Sequence, residues 1–182
     1  MRKLNSNKDV YKKLHRITKL YLQTLGDEIE QILNDADDFE KTRECYDVII
    51  KTLDTMYGDE DCVQLGKLTD GRMSILRAFL EGEGITNIHN SMTDVVKAHD
   101  DVDGAWGAVA LVSLFNIVDT VYQFMNTYLT MFQTRKLITN EEEQKLRQMI
   151  VPYNKKVESK IPVLSFEEIK VIDPEIANEK GE

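Results

Sequence analysis

Apolar residues recur every three or four positions along most of this chain, the period of helices that bury one face. Val10, Leu14, Ile17, Tyr21, Leu25, Ile29 and Ile32 set a single buried stripe on a helix from about Asn7 to about Asp35. Asp37 or Asp38 can cap a second helix that ends at Gly58, with Phe39, Tyr46, Ile49, Ile50, Leu53 and Tyr57 facing inward. Shorter helical pieces are predicted around 59–66, 70–82 and 86–99, separated by breaks such as EGEG. Asp103-Gly104 then opens the longest helix, which reaches about Arg135. Trp106, Leu111, Leu114, Phe115, Val118, Tyr122, Met125, Leu129 and Phe132 leave its first half apolar nearly all round. That pattern belongs to a central core helix or a subunit interface. Thr139 with Glu142 reads as a capping box for a last helix that stops at Pro152.

The expectation is therefore an all-α, single-domain helical bundle around a long central helix over about 103–135. It comprises a helical domain over 1–156 and a C-terminal tail over 157–182, partly extended and partly docked. Composition agrees. All three prolines, Pro152, Pro162 and Pro174, lie near the C-terminus, so the body before them holds none of the residue that helix interiors tolerate least. With 42% hydrophobic and 30% charged residues over 182 positions, the chain can bury a core without disulfides or metals. Cys45 and Cys62 are not in a CxxC arrangement and read as reduced, partly buried thiols. The start, MRKLNSNKDVYKK, has charges where a signal peptide needs an apolar run, so export is not expected. The run AWGAVALVSLFNIV stops at Asp119 and is too short by itself to span a bilayer. A cytoplasmic protein with no membrane association is expected. The long apolar helix adds an expectation of homodimerisation through exposed Met and aromatic side chains.

Charge changes the picture more than composition does. Net charge is −9, but residues 1–26 carry seven Lys/Arg against Asp9 alone, a balance of +6. Residues 27–61 carry thirteen Asp/Glu against Lys41, Arg43 and Lys51, a balance of −10. Asymmetry of this kind marks interaction surfaces. On the first helix Lys8, Lys12, Arg16 and Lys19, with Lys13 beside them, form a cationic stripe that can lie along nucleic-acid phosphates, or can be a solvated face whose stems cover the core edge. On the second, Glu40, Glu44, Asp47 and Asp54 form an outward acidic stripe, to which Asp27, Glu30, Asp37 and Asp38 add charge. Steps of i, i+4 rise about 6 Å along a helix axis. A rigid ladder of that spacing can occupy a site built for nucleic-acid backbone.

Three constellations carry candidate chemistry. Asp27 and Glu30, with Glu44 and Asp47 on the next helix, resemble the EExxE and ExxD pairs of the all-α nucleoside triphosphate pyrophosphohydrolases, a resemblance that implies magnesium held by four carboxylates. The first half departs from that pattern. Alignment on Asp27-Glu28 puts Gln31 at the third acid, and helical phase turns Asp27 and Glu44 away from the apolar stripes. AHDDVDGAW resembles the start of a calcium loop, but its first ligand position is His99 and its twelfth is Ala110. A helix start with Asp100, Asp101 and Asp103 at the dipole explains it better. Residues 68–96 resemble a helix-turn-helix whose second helix offers Asn87, Asn90 and a single Lys97, little charge for a DNA reader. His15, His89 and His99 show no ligand spacing. No catalytic residues, no metal and no cofactor are expected.

In length, helical build and acidic hairpin the whole chain resembles the phage and mobile-element anti-CRISPR proteins that inhibit type II RNA-guided nucleases. The resemblance implies a non-enzymatic inhibitor in the cytoplasm of a host bacterium, a protein partner with a basic nucleic-acid channel, and no cofactor. The acidic residues would face the nuclease, and the basic N-terminal helix offers a contact for DNA.

Overall fold

The computed structural model describes residues 7–69, 84–100 and 106–160, with 106 and 151–160 described in backbone only. It is all-helical, and no strand occurs among the described residues. The elements are α1 (Asn7–Ile17), a π turn (Thr18–Leu22), α2 (Gln23–Asn34), α3 (Phe39–Gly58), α4 (Glu60–Gly66), a 3-10 turn (Lys67–Thr69), α5 (Ile85–Asp100), α6 (Trp106–Thr134) and α7 (Asn140–Lys160).

The run from Asn7 to Asn34 is one continuous helix, as the apolar stripe requires, but it widens at the π turn. Both flanking residues, Ile17 and Gln23, keep helical backbone angles. The wider turn points adjacent residues into the core together: Ile17 with Thr18, and Tyr21 with Leu22, are all buried. Its cost is visible in the Thr18 hydroxyl, which is buried without a hydrogen-bond partner. Such turns recur at functional sites.

The hairpin from α2 to α3 closes over Asp35–Asp38. The Asp38 carboxylate caps α3 by accepting from the Lys41 amide at 3.2 Å, which selects Asp38 from the two candidate caps. Thr42, buried at the first turn of α3, donates its hydroxyl to the Asp35 carbonyl at 3.1 Å. Thr42, Cys45, Tyr46, Ile49, Leu53 and Met56 form the buried face of α3, with Phe39, Ile50 and Tyr57 half-buried at its margins.

The centre of the bundle is α6, which packs most extensively against α5 and also touches α2 and α7. Ala110, Leu114, Ile117, Val118, Val121, Phe124, Met125, Tyr128, Leu129 and Phe132 are all buried in one cluster with the stripes of the other helices. Burial of this many large side chains is the dominant favourable term, each worth about 1.5–3 kcal/mol relative to exposure. At the start of α7 the capping box is formed as read: the Thr139 amide donates to the Glu142 carboxylate at 2.9 Å, and the Glu142 amide to the Thr139 hydroxyl at 3.1 Å.

Two expectations need correction. First, α7 does not stop at Pro152; it runs on to Lys160. Proline forfeits one amide donor and crowds the preceding turn, a cost that a long helix can absorb. The tail beyond Lys160 and the helix predicted at 70–82 lie outside the described residues. So does Asp103 at the opening of the central helix, which is described from Trp106.

Second, reading only residues 105–118 understates the apolar length of the central helix. Asp119 is the sole charged side chain between Gly107 and Thr134, and that segment is long and apolar enough by length and composition to cross a membrane. In this structure 44% of its most apolar window is buried inside the bundle. Along the described part of the central helix, Leu111, Phe115, Tyr122 and Met131 are half-buried. Among the described residues the exposed large hydrophobics are Leu20 and Val63, both outside α6.

Candidate interaction surface

The sequence divides its charges by position; the fold divides them again by what they touch. α3 is fastened inward along its length. Phe39 stacks on His99 of α5 with ring centroids 3.8 Å apart, and the Tyr46 hydroxyl hydrogen-bonds His89 Nδ1 on the same helix. Cys45 is buried against Glu28 of α2; burial first, and then the Glu28 carboxylate, push its thiol up to about 11. At its far end Asp59 has an extended backbone and caps α4, accepting from the Asp61 amide at 2.9 Å and the Cys62 amide at 3.4 Å.

The outer face of α3 is then a rigid row. Glu40, Glu44, Asp47 and Asp54 are all exposed. At 100° per residue they fall within an arc of about 80° and span about 21 Å of helix. Lys51 lies within the same arc and interrupts the row between Asp47 and Asp54. Among the described residues no ion pair or hydrogen bond engages these four carboxylates. The expected outward phase of the acidic stripe is therefore where the fold places it. Asp27 and Asp37 are exposed nearby in sequence, Glu30 is half-buried, and Asp38 is committed to its cap.

Asp59 and Asp61 come from the same acidic run but serve another purpose, one that no local spacing announces. Arg16 of α1 reaches both. Its Nη2 donates to the two Asp59 oxygens at 2.6 and 2.5 Å, and its Nε to Asp61 at 2.7 Å. Lys13 pairs with the other Asp61 oxygen, and the Tyr21 hydroxyl donates to Asp59 at 2.7 Å. Partial burial pushes both carboxyls up, but the donors outweigh it. Arg16, Tyr21 and the two amides hold Asp59 below the usual carboxylate range, and Lys13 and Arg16 do the same for Asp61. Two of the five predicted cations are thus committed to ion pairs, Lys13 half-buried and Arg16 still exposed. Lys8, Lys12 and Lys19 remain exposed.

The other constellations fare differently. The four carboxylates Asp27, Glu30, Glu44 and Asp47 are not brought together: among the described residues no group of three or more His, Cys, Asp or Glu side chains is placed to hold a metal ion. Ala110, the twelfth position of the loop that resembles a calcium site, is buried in the core, and residues 101–105 lie outside the described residues. Asn87, Asn90 and Lys97 are exposed on α5, while the first helix of the helix-turn-helix pattern lies outside the described residues. Both cysteines are free and buried. Burial pushes the Cys62 thiol up to about 12, while a 3.8 Å contact with the Tyr128 hydroxyl opposes it. Neither thiol is poised as a nucleophile.

A cleft of about 490 Å³ lies where α6 gives way to α7, lined by Asn7, Gln133, Thr134, Lys136, Ile138, Thr139 and Asn140. Two of its hydroxyls are already used, Thr134 donating to the Thr130 carbonyl and Thr139 closing the capping box. Comparison of the chain with protein-family models, curated proteins and solved structures gives no match.

Proposed function

We propose that this protein works by binding rather than by catalysis, as a stoichiometric inhibitor in the cytoplasm of a bacterial cell. The outer face of α3 occupies a basic, nucleic-acid-binding surface of a type II RNA-guided nuclease and blocks DNA engagement or cleavage. The observation that carries the reading is the contrast within one acidic run. Asp59 and Asp61 are neutralised by Lys13 and Arg16, whereas Glu40, Glu44, Asp47 and Asp54 face outward with no partner among the described residues.

The physical chemistry supports such a role. A surface kept for solubility interleaves Lys with Glu at i, i+4, so that each carboxylate has a local counter-charge. A fixed row of carboxylates, with Lys51 the one cation inside its arc, instead steers association with a basic channel, and it rewards clustered Lys and Arg without reordering on contact. The anchoring of α3 through Phe39, Tyr46 and Thr42 keeps the row straight, so little conformational entropy is lost on docking. No cofactor or metal enters this reading.

A cleavage assay tests it. Purified protein at molar equivalence with guide-loaded nuclease is expected to suppress target cleavage, and capture on the immobilised nuclease is expected at low salt. Full cleavage at large molar excess would contradict the reading.

A further inference from the structure

We propose that the outer face of α1 is a second binding surface, a contact for the phosphate backbone of duplex DNA, carried by Lys8, Lys12 and Lys19. The fold compensates the charges of Lys13 and Arg16 by pairing them with Asp59 and Asp61, although the Arg16 side chain stays exposed. What remains is ordered. On α-helical geometry Lys8, Lys12 and His15 fall within an arc of about 60°, and all three are exposed. Lys19, exposed at the entry to the π turn, continues the row. From Lys8 to Lys19 the row is about 16 Å long. One DNA strand carries a phosphate every ~3.4 Å of axis, so the row spans about five phosphates.

Three features point to a phosphate backbone over other anionic partners. The apolar stripe of α1 is spent on the core, Val10, Leu14 and Ile17 being 3%, 0% and 0% exposed, so α1 has no face left to insert into a lipid surface. Beside the row stands one exposed apolar side chain, Leu20, short of the cluster of buried anchors on which protein interfaces depend. Lysines are point charges without the fork that reads bases, so the contact is independent of sequence. This inference does not rest on the nuclease reading: it concerns another face and a binary complex.

Fluorescence anisotropy with a short labelled duplex and the full chain tests it. Three phosphate contacts predict a slope of log affinity against log salt of about −2.7, a loss of about 40-fold between about 50 and 200 mM salt. The variant Lys8→Gln/Lys12→Gln/Lys19→Gln replaces exposed side chains and is expected to keep its circular dichroism and melting temperature while losing nearly all of that slope. No binding at the lowest salt would overturn the proposal. So would an unchanged slope in the folded triple variant, or association with anionic vesicles but not with duplex. Failure of nuclease inhibition leaves this titration unaffected, so the two readings fail separately.

Discussion

Arg16 and Asp59 stand opposite each other where α1 meets α4, 43 residues apart in sequence, with Arg16 Nη2 donating to both Asp59 oxygens at 2.6 and 2.5 Å. Asp59 is the hub of this contact because it also caps α4 and accepts from Tyr21. Asp59→Ala is expected to cost about 2–3 kcal/mol, combining the lost cap with an unpaired Tyr21 hydroxyl. Asp59→Asn retains a capping oxygen and should cost less. Arg16→Gln should cost only about 1 kcal/mol, because the guanidinium side chain is 44% exposed and solvent screens its pairs. Urea unfolding of the three variants checks the order.

Acid should loosen the same contact. The folded-state values of Asp59 and Asp61 lie below their ordinary range, so their contribution is fully present above about pH 4, the unfolded-state value. It is lost as pH falls from there through the depressed folded values. The melting temperature is expected to decline below about pH 4, and more shallowly in Asp59→Asn, which has one carboxyl fewer to protonate. Identical acid profiles for the two proteins would remove this cluster from the account.

The core ranks substitutions by burial. Phe132, fully buried at the end of α6, should cost about 3–5 kcal/mol as Phe132→Ala, through lost transfer energy and the cavity left behind. Thr139→Ala breaks one bond of the capping box and should cost about 1 kcal/mol. Chemical denaturation resolves both, and equal effects at the two sites would deny α6 its central place.

Much of this architecture is legible in the sequence because it depends on neighbours. The stripe from Val10 to Ile32, a cap at Asp37 or Asp38 and the Thr139–Glu142 box all follow from local spacing, and each appears in the fold, with Asp38 as the cap. The π turn is not legible, since one inserted residue changes the phase without changing composition. Thr18 and Leu22, absent from the predicted stripe, are buried in that turn beside Tyr21. Pro152 misleads because a proline states a preference about one turn, and the flanking helix overrides it. The acidic row on α3 could be phased from the sequence. The commitment of Lys13 and Arg16 to ion pairs could not, because their partners are 43 to 48 residues away and only the packing of α1 on α4 joins them.

The central claim is that the α3 face makes the contact that inhibits the nuclease. Its most direct test is the affinity of guide-loaded nuclease for wild-type protein and for Glu40→Lys/Glu44→Lys/Asp47→Lys, titrated across salt concentrations. These three side chains are exposed and off the buried face, so the variant should melt within a degree or two of wild type. The account predicts wild-type affinity that falls as salt rises. It predicts variant affinity weaker by several kcal/mol if the carboxylates are desolvated on docking, with on-rate chiefly slowed where they stay at the rim. A folded variant that binds and inhibits like wild type at every salt concentration would contradict it.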